Sequence, residues 1–252
     1  MKVLSEKSQR VISRLIGVLT TIGVFLLCGF IAIIVPATSR AFYNHQFNKN
    51  DTLNKVHQQS YYLSGEAKTY VANLTLDELL SLMDHTMEYC LYFEDDLNIV
   101  VDGNYLEVFR PDEYEHMRDV KKVFGGGMVL VGVGVLFIVV GVVFNLKFRS
   151  IYLKYAKKTP FYTLAVILGL LLLIALFAVI DFDTAFTIFH QIFFYGKQWT
   201  FSSGVMVAMI ADIFTGLAPI ILLVWVALLG AYITAVYFYN KALKKRLIKN
   251  LD

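Results

Sequence analysis

Cysteine is nearly absent. Two in 252 residues are too few for a disulfide framework. Cys28 falls in the middle of an apolar run and Cys90 in a polar stretch, so a bond between them is not expected, and both read as small apolar residues. Charge is also scarce, at 17% of residues, and nearly balanced, with a net of +3. The basic residues gather at the chain start, in one middle loop and in the tail. That is the distribution of a membrane protein rather than a nucleic-acid patch, so no nucleic-acid partner is expected. There is no serine nucleophile elbow, no His-Glu-x-x-His zinc helix and no phosphate-binding loop.

What is abundant is apolar sequence. The chain is 57% hydrophobic with a mean hydropathy of +0.59, against about 45–50% apolar residues in soluble domains. It therefore reads as an all-α polytopic membrane protein of about four spans, each of about 20 residues. A basic start, residues 1–14, precedes a first span at 15–37. That apolar run is longer than the roughly 7–15 residues of a signal-peptide core and is expected to stay in the membrane. Residues 38–122 form a small, mostly helical domain. Within it Thr75-Leu76-Asp77-Glu78 spells a capping box flanked by a Leu74–Leu79 staple. Leu76, Leu79, Leu80, Met83, Met87 and Cys90 then recur at helical spacing over 76–92. Asp102-Gly103-Asn104 between two apolar triplets suggests a turn or hairpin. Pro111, followed by Asp112 and Glu113, opens a helix over 111–122 that runs on into the next span.

The second span is 123–146, with Gly125–Gly127, Gly132, Gly134 and Gly141. Lacking a strand–turn–helix context, these glycines read as close-packing positions between membrane helices rather than a dinucleotide loop. A basic loop at 147–159 and a third span at 160–181 follow. An aromatic interfacial region at 182–213 leads to a fourth span at 214–239, and residues 240–252 form a basic tail. A break near Gly216 and Pro219 is expected to separate an interfacial helix from the last span. The basic start, loop and tail belong inside the cell, which puts 38–122 and 182–203 outside.

This topology brings two histidines to the outer face. In Glu115-His116-Met117-Arg118-Asp119-Val120-Lys121, Asp119 lies three residues from His116, on one helical face, where a carboxylate can fix an imidazole's tautomer and raise its basicity. Asp112, four residues earlier, could do the same. In the other segment Asp183, Phe186 and His190 share a stripe. Histidine suits general acid–base work at external pH. His45, His57 and His85 carry no such pattern, and Asn73-Leu74-Thr75 is a weak glycosylation match. A zinc site from His116, His190 and a carboxylate has enough ligands but not the tight spacing, so no metal or other cofactor is expected.

The stretches LDELLSLMDHTMEYCLYFEDDL, EYEHMRDVKKVF and DFDTAFTIFHQIFFYGKQWTF resemble, in order and over most of the chain, the lipoprotein intramolecular transacylase family of low-GC Gram-positive bacteria. The resemblance implies an acyltransferase of the bacterial cytoplasmic membrane that uses no external acyl donor. Its partners would be diacylglyceryl-modified lipoproteins and membrane lipid. The acyl chain would pass from the glycerol sn-2 ester to the α-amino group of the N-terminal cysteine, with His116 and His190 as acid–base pair. Asp119 and Asp183 would support them. Arg118 and Lys121 would contact the oxyanion or lipid phosphate, or snorkel, and Trp199 would anchor the interface. The family has a Pro- and Asp-containing stretch after the tryptophan; here Thr200-Phe201-Ser202-Ser203-Gly204 stands in its place. Two other classes stay open on sequence: a membrane metalloenzyme, and a non-enzymatic assembly or sensor protein.

The orientation is testable in a Cys28→Ser, Cys90→Ser background. A cysteine placed at Asn104 should react with membrane-impermeant maleimide on intact cells, and one at Lys154 only after permeabilisation. The reverse pattern would overturn the assignment of sides.

Overall fold

The computed structural model describes residues 4–211 and 213–249. Helix α1 (Glu6–Ala37) is followed by α2 (Arg40–Asn50), α3 (Thr52–Gln59), α4 (Gly65–Asn73) and α5 (Leu76–Cys90). A hairpin of β1 (Ile99–Val101) and β2 (Asn104–Leu106) then leads to α6 (Pro111–Lys147), α7 (Arg149–Tyr155) and α8 (Thr159–Ile180). The chain closes with α9 (Phe182–Phe193), α10 (Val205–Ile210) and α11 (Ile213–Lys249). Four of these helices are long and apolar enough to cross a bilayer: α1, α6, α8 and the 216–247 portion of α11. The protein is thus an all-α polytopic membrane protein. On α8 the large side chains Val166, Leu170, Leu172, Leu173 and Ile174 stand exposed, as a lipid-facing surface requires. The expected break at Gly216 and Pro219 is not there: α10 ends at Ile210, and α11 runs from Ile213 through both residues. Membrane helices tolerate an internal proline because neighbouring groups re-satisfy the freed carbonyl.

The chain forms two compact units: one of residues 1–32, 128–185 and 223–252, the other of 33–127 and 186–222. In the first, α1 and α6 touch backbone to backbone. A Cβ on Gly23 would lie 2.3 Å from the Gly134 carbonyl oxygen, and one on Gly141 would run into the Thr20 side chain. Gly132 meets nothing within 4 Å, so only part of the glycine series is a packing seam. Cys28, Leu164 and Leu229 form a small core beside Trp225, whose indole N–H donates to the Phe25 carbonyl at 3.3 Å. A second core joins Phe144, Tyr152, Ala156 and Leu243. Near it Glu6 accepts from Lys154 at 3.0 Å and from the Tyr155 hydroxyl at 2.7 Å.

The second unit has one large core, which includes Tyr43, Phe47, Val56, Leu79, Leu82, Leu97, Val108 and Met209. The capping box forms as the sequence suggests. The Glu78 carboxylate accepts from the Thr75 N–H and hydroxyl, each at 2.7 Å, while the Glu78 N–H donates to Thr75 Oγ1 at 3.3 Å. These bonds hold Glu78 below the usual carboxylate range. Leu74 and Leu79, the staple, are both buried. The hairpin is antiparallel, with Val101 opposite Asn104. Asp102 and Gly103 both have positive φ, 50° and 82°, the type I′ turn that matches strand twist. Both cysteines are free and buried; burial pushes the Cys90 thiol up to about 12, which leaves it unreactive. His57 and His85 each use Nε2 on a backbone carbonyl, Leu74 at 2.8 Å and Asp96 at 3.0 Å.

The glycine seam predicts unequal effects within one helix. Gly134→Leu should lower the apparent Tm in detergent by at least about 4 °C, the scale of a lost kcal/mol or more in a chain of this size. Gly132→Leu should leave it unchanged.

Candidate active site

The first turn of α6 is built around a carboxylate. Glu113 is fully buried, and both its oxygens accept backbone N–H groups. Oε2 takes Arg110 at 3.0 Å and Oε1 takes Met206, at the start of α10, at 2.9 Å. The Arg110 guanidinium grips Asp112 with Nε at 3.1 Å and Nη2 at 2.8 Å, and its Nη1 donates to Ser203 Oγ at 2.7 Å.

One turn on, the half-buried His116 ring lies against Phe194 and Phe201, with centroids 5.0 and 5.3 Å away. The Gln198 backbone lies beside it. Nδ1 is buried and has no partner. Asp119, one further turn along, does not orient this ring by hydrogen bonding as the sequence suggested. Its carboxylate is taken by Lys122 at 2.7 Å and lies 3.8 Å from Lys197.

His190 sits near the end of α9 and is buried. Its Nδ1–H donates to the Phe186 carbonyl at 2.8 Å. A carbonyl only accepts, so the proton is on Nδ1 and the Nε2 lone pair is left for chemistry. Trp199 stacks on the ring at 4.8 Å and 30°, and Phe186, Phe189 and Phe194 complete its surroundings. Phe194 touches both imidazoles, 5.0 Å from His116 and 5.5 Å from His190. The two rings therefore share one phenyl group as a common wall. The turn at Gly196, with φ of 70°, sends the chain back so that Gln198, Trp199 and Phe201 return to the cluster.

The remaining sequence candidates are spread out. Arg118 pairs with Glu115 on the exposed side of α6. Lys121 fastens the turn after α5. It donates to the Glu94 carbonyl at 2.7 Å and lies over the Tyr89 and Tyr92 rings at 4.1 and 4.9 Å. Asp183 is exposed in the first turn of α9. Among the described residues, the one group with metal-ligand spacing is His85, Glu88 and Glu94, which includes neither His116 nor His190. Sequence reading passed over Glu113, Arg110, Phe194 and Phe201. The Phe-His-x-x-Phe-Phe pattern held a signal for Phe194, four residues after His190 and so on its helical face. Nothing local marked Glu113 as other than a first-turn carboxylate.

These features define a multi-pass helical membrane protein with an aromatic-walled two-histidine site. The chain belongs to the family of the lipoprotein intramolecular transacylase Lit, whose model matches residues 16–215. Solved structures of the membrane-integral lipoprotein intramolecular transacylase Lit from Bacillus cereus share the fold. One superposes with a TM-score of 0.64 at 18% identity, covering 98% of this chain and all of that one (100%). Another gives 0.63 at 17% identity, covering 97% and 95%. No curated protein matches the chain.

The shared phenyl wall predicts coupling between the two imidazoles. Phe194→Ala should move the NMR ring resonances of both His116 and His190, whereas Phe189→Ala, which contacts His190 alone, should move only those of His190. A Phe194→Ala shift confined to one histidine would count against the shared wall.

Proposed function

We propose that this protein is an intramolecular transacylase acting on diacylglyceryl lipoproteins at the outer face of the bacterial cytoplasmic membrane, with both chain termini inside. The acyl chain moves from the glycerol sn-2 ester to the α-amino group of the lipoprotein's N-terminal cysteine. The product is an N-acyl, lyso-form lipoprotein. The observation that carries this reading is the pairing of two histidines in one aromatic cluster, one with its basic nitrogen set free by tautomer and the other with an orphaned ring nitrogen.

The attacking amine has a pKa near 8 when free and must be neutral to react. The His190 Nε2 lone pair takes the amine proton as the N–C bond forms. The partner, His116, accepts the amine's second N–H on Nδ1. That contact removes the cost of an unsatisfied buried polar atom, of order 1–3 kcal/mol. When the tetrahedral intermediate collapses, the ester C–O bond breaks and the His190 imidazolium returns its proton to the glycerol alkoxide. An ester becomes an amide and no external acyl donor is consumed. Donor and acceptor belong to one molecule, so holding them together supplies much of the rate. Trp199 fixes the plane of the His190 ring. Asp119 contributes through the local field and through Lys197.

Mass spectrometry of lipoprotein N-terminal peptides tests the reading in a host lacking its own N-acylating enzymes. Wild type should give N-acyl lyso peptides. His116→Ala and His190→Ala should each cut conversion by at least about 100-fold, the lower end for general acid–base catalysis. Asp119→Asn should cost less than about tenfold, because its carboxylate serves lysines and not an imidazole. Well-expressed wild type that leaves the amine free would overturn the proposal.

A further inference from the structure

We infer that Glu113 is a positioning residue of the transacylase site: its carboxylate latches the 199–206 segment so that Trp199 and Phe201 wall the two histidines. This inference rests on the proposed transacylase reading. That segment carries the ring stacked on His190 and one of the two rings against His116. Between Gly196 and α10 it has no helix or strand of its own. Its geometry therefore depends on what grips it.

Four contacts do so. The Met206 N–H reaches Glu113 Oε1 at 2.9 Å. Ser203 Oγ accepts from Arg110 Nη1 at 2.7 Å. The Gly204 N–H reaches Gln59 Oε1 at 2.7 Å. The Gly204 backbone also lies against the Glu113 carboxylate. A Cβ at residue 204 would come within 2.1 Å of Oε1, and φ there is 120°. Glycine at 204 is therefore required twice, by conformation and by the carboxylate.

The requirement at 113 is equally specific. Each oxygen of Glu113 accepts a different N–H, Arg110 on one and Met206 on the other. Glutamine has the same shape but a single acceptor, so its NH₂ group must confront one of the two donors. The grip on Met206 or on Arg110 is then lost in a fully buried place where no water can substitute. Release of Met206 frees the 203–206 end of the segment, and release of Arg110 weakens its hold on Ser203.

The experiment uses the full chain in a Trp225→Phe background, which leaves Trp199 as the sole tryptophan. Its stacked indole reports on His190, because a protonated imidazole quenches indole emission on contact. Glu113→Gln should reduce kcat for acyl transfer by tenfold or more with KM little changed. It should also abolish the pH-dependent quenching of Trp199 and shift its emission to the red. Gly204→Ala, which strikes the same contact from the other side, should give the same signature and keeps the test alive if Glu113→Gln does not fold. A folded Glu113→Gln protein with unaltered kcat and Trp199 emission would overturn the inference. So would a fall in Tm and yield with normal specific activity and quenching, which marks a purely structural residue. If wild type showed no acyl transfer while both variants changed Trp199 as expected, the latch would stand and the transacylase reading would fail.

Discussion

A chain that crosses hydrocarbon must satisfy every backbone N–H and C=O within its own helix. That constraint shapes the site as much as the spans. Because α6 cannot break inside the apolar stretch, it runs unbroken from Pro111 to Lys147, and the two turns that hold Glu113, His116 and Asp119 precede the apolar run on the same helix. Rotation about that helix is all that distinguishes a buried carboxylate from an exposed ion pair. Glu113 and Met117 are buried, while Glu115 and Arg118 are exposed to water. The position of His116 is inherited from this stiff element.

The surroundings of the histidines are mostly carbon. Phe186, Phe189, Phe194, Trp199 and Phe201 supply the walls. Polar contacts are few: a carbonyl fixes the tautomer of His190, and Nδ1 of His116 is unpaired. An apolar box of this kind strengthens the interactions made inside it. It also suits a reaction whose other components are acyl chains. The charged residues around the cluster also hold helices and turns together. Lys121 ties α6 to the turn after α5, and Asp119 gathers Lys122 and Lys197.

The segment after Trp199 takes its order from side chains elsewhere in the chain. Ser203 and Gly204 are small. Their value lies in what they let approach: an arginine hydrogen bond at one and a buried carboxylate at the other. No helical or strand period runs through Thr200–Gly204, and the order of this stretch comes from Gln59, Arg110 and Glu113, far earlier in the chain.

What the amino-acid sequence determined by itself was local or set by the solvent. Long apolar runs can only be membrane helices. The Thr75–Glu78 box and the Asp102-Gly103 turn each close within four residues, and their outcome needs no distant partner. His116 and His190 stand out in the sequence because each sits on a motif at the edge of an apolar run. Tertiary structure alone decided the rest. It put Phe194 between the imidazoles, drew Asp119 to lysines and away from His116, and turned a first-turn glutamate into the latch of a distant loop. The reason is physical. A helix period states which residues share a face, but the partner of that face depends on where turns such as the one at Gly196 send the chain. Those directions are fixed only when the elements pack.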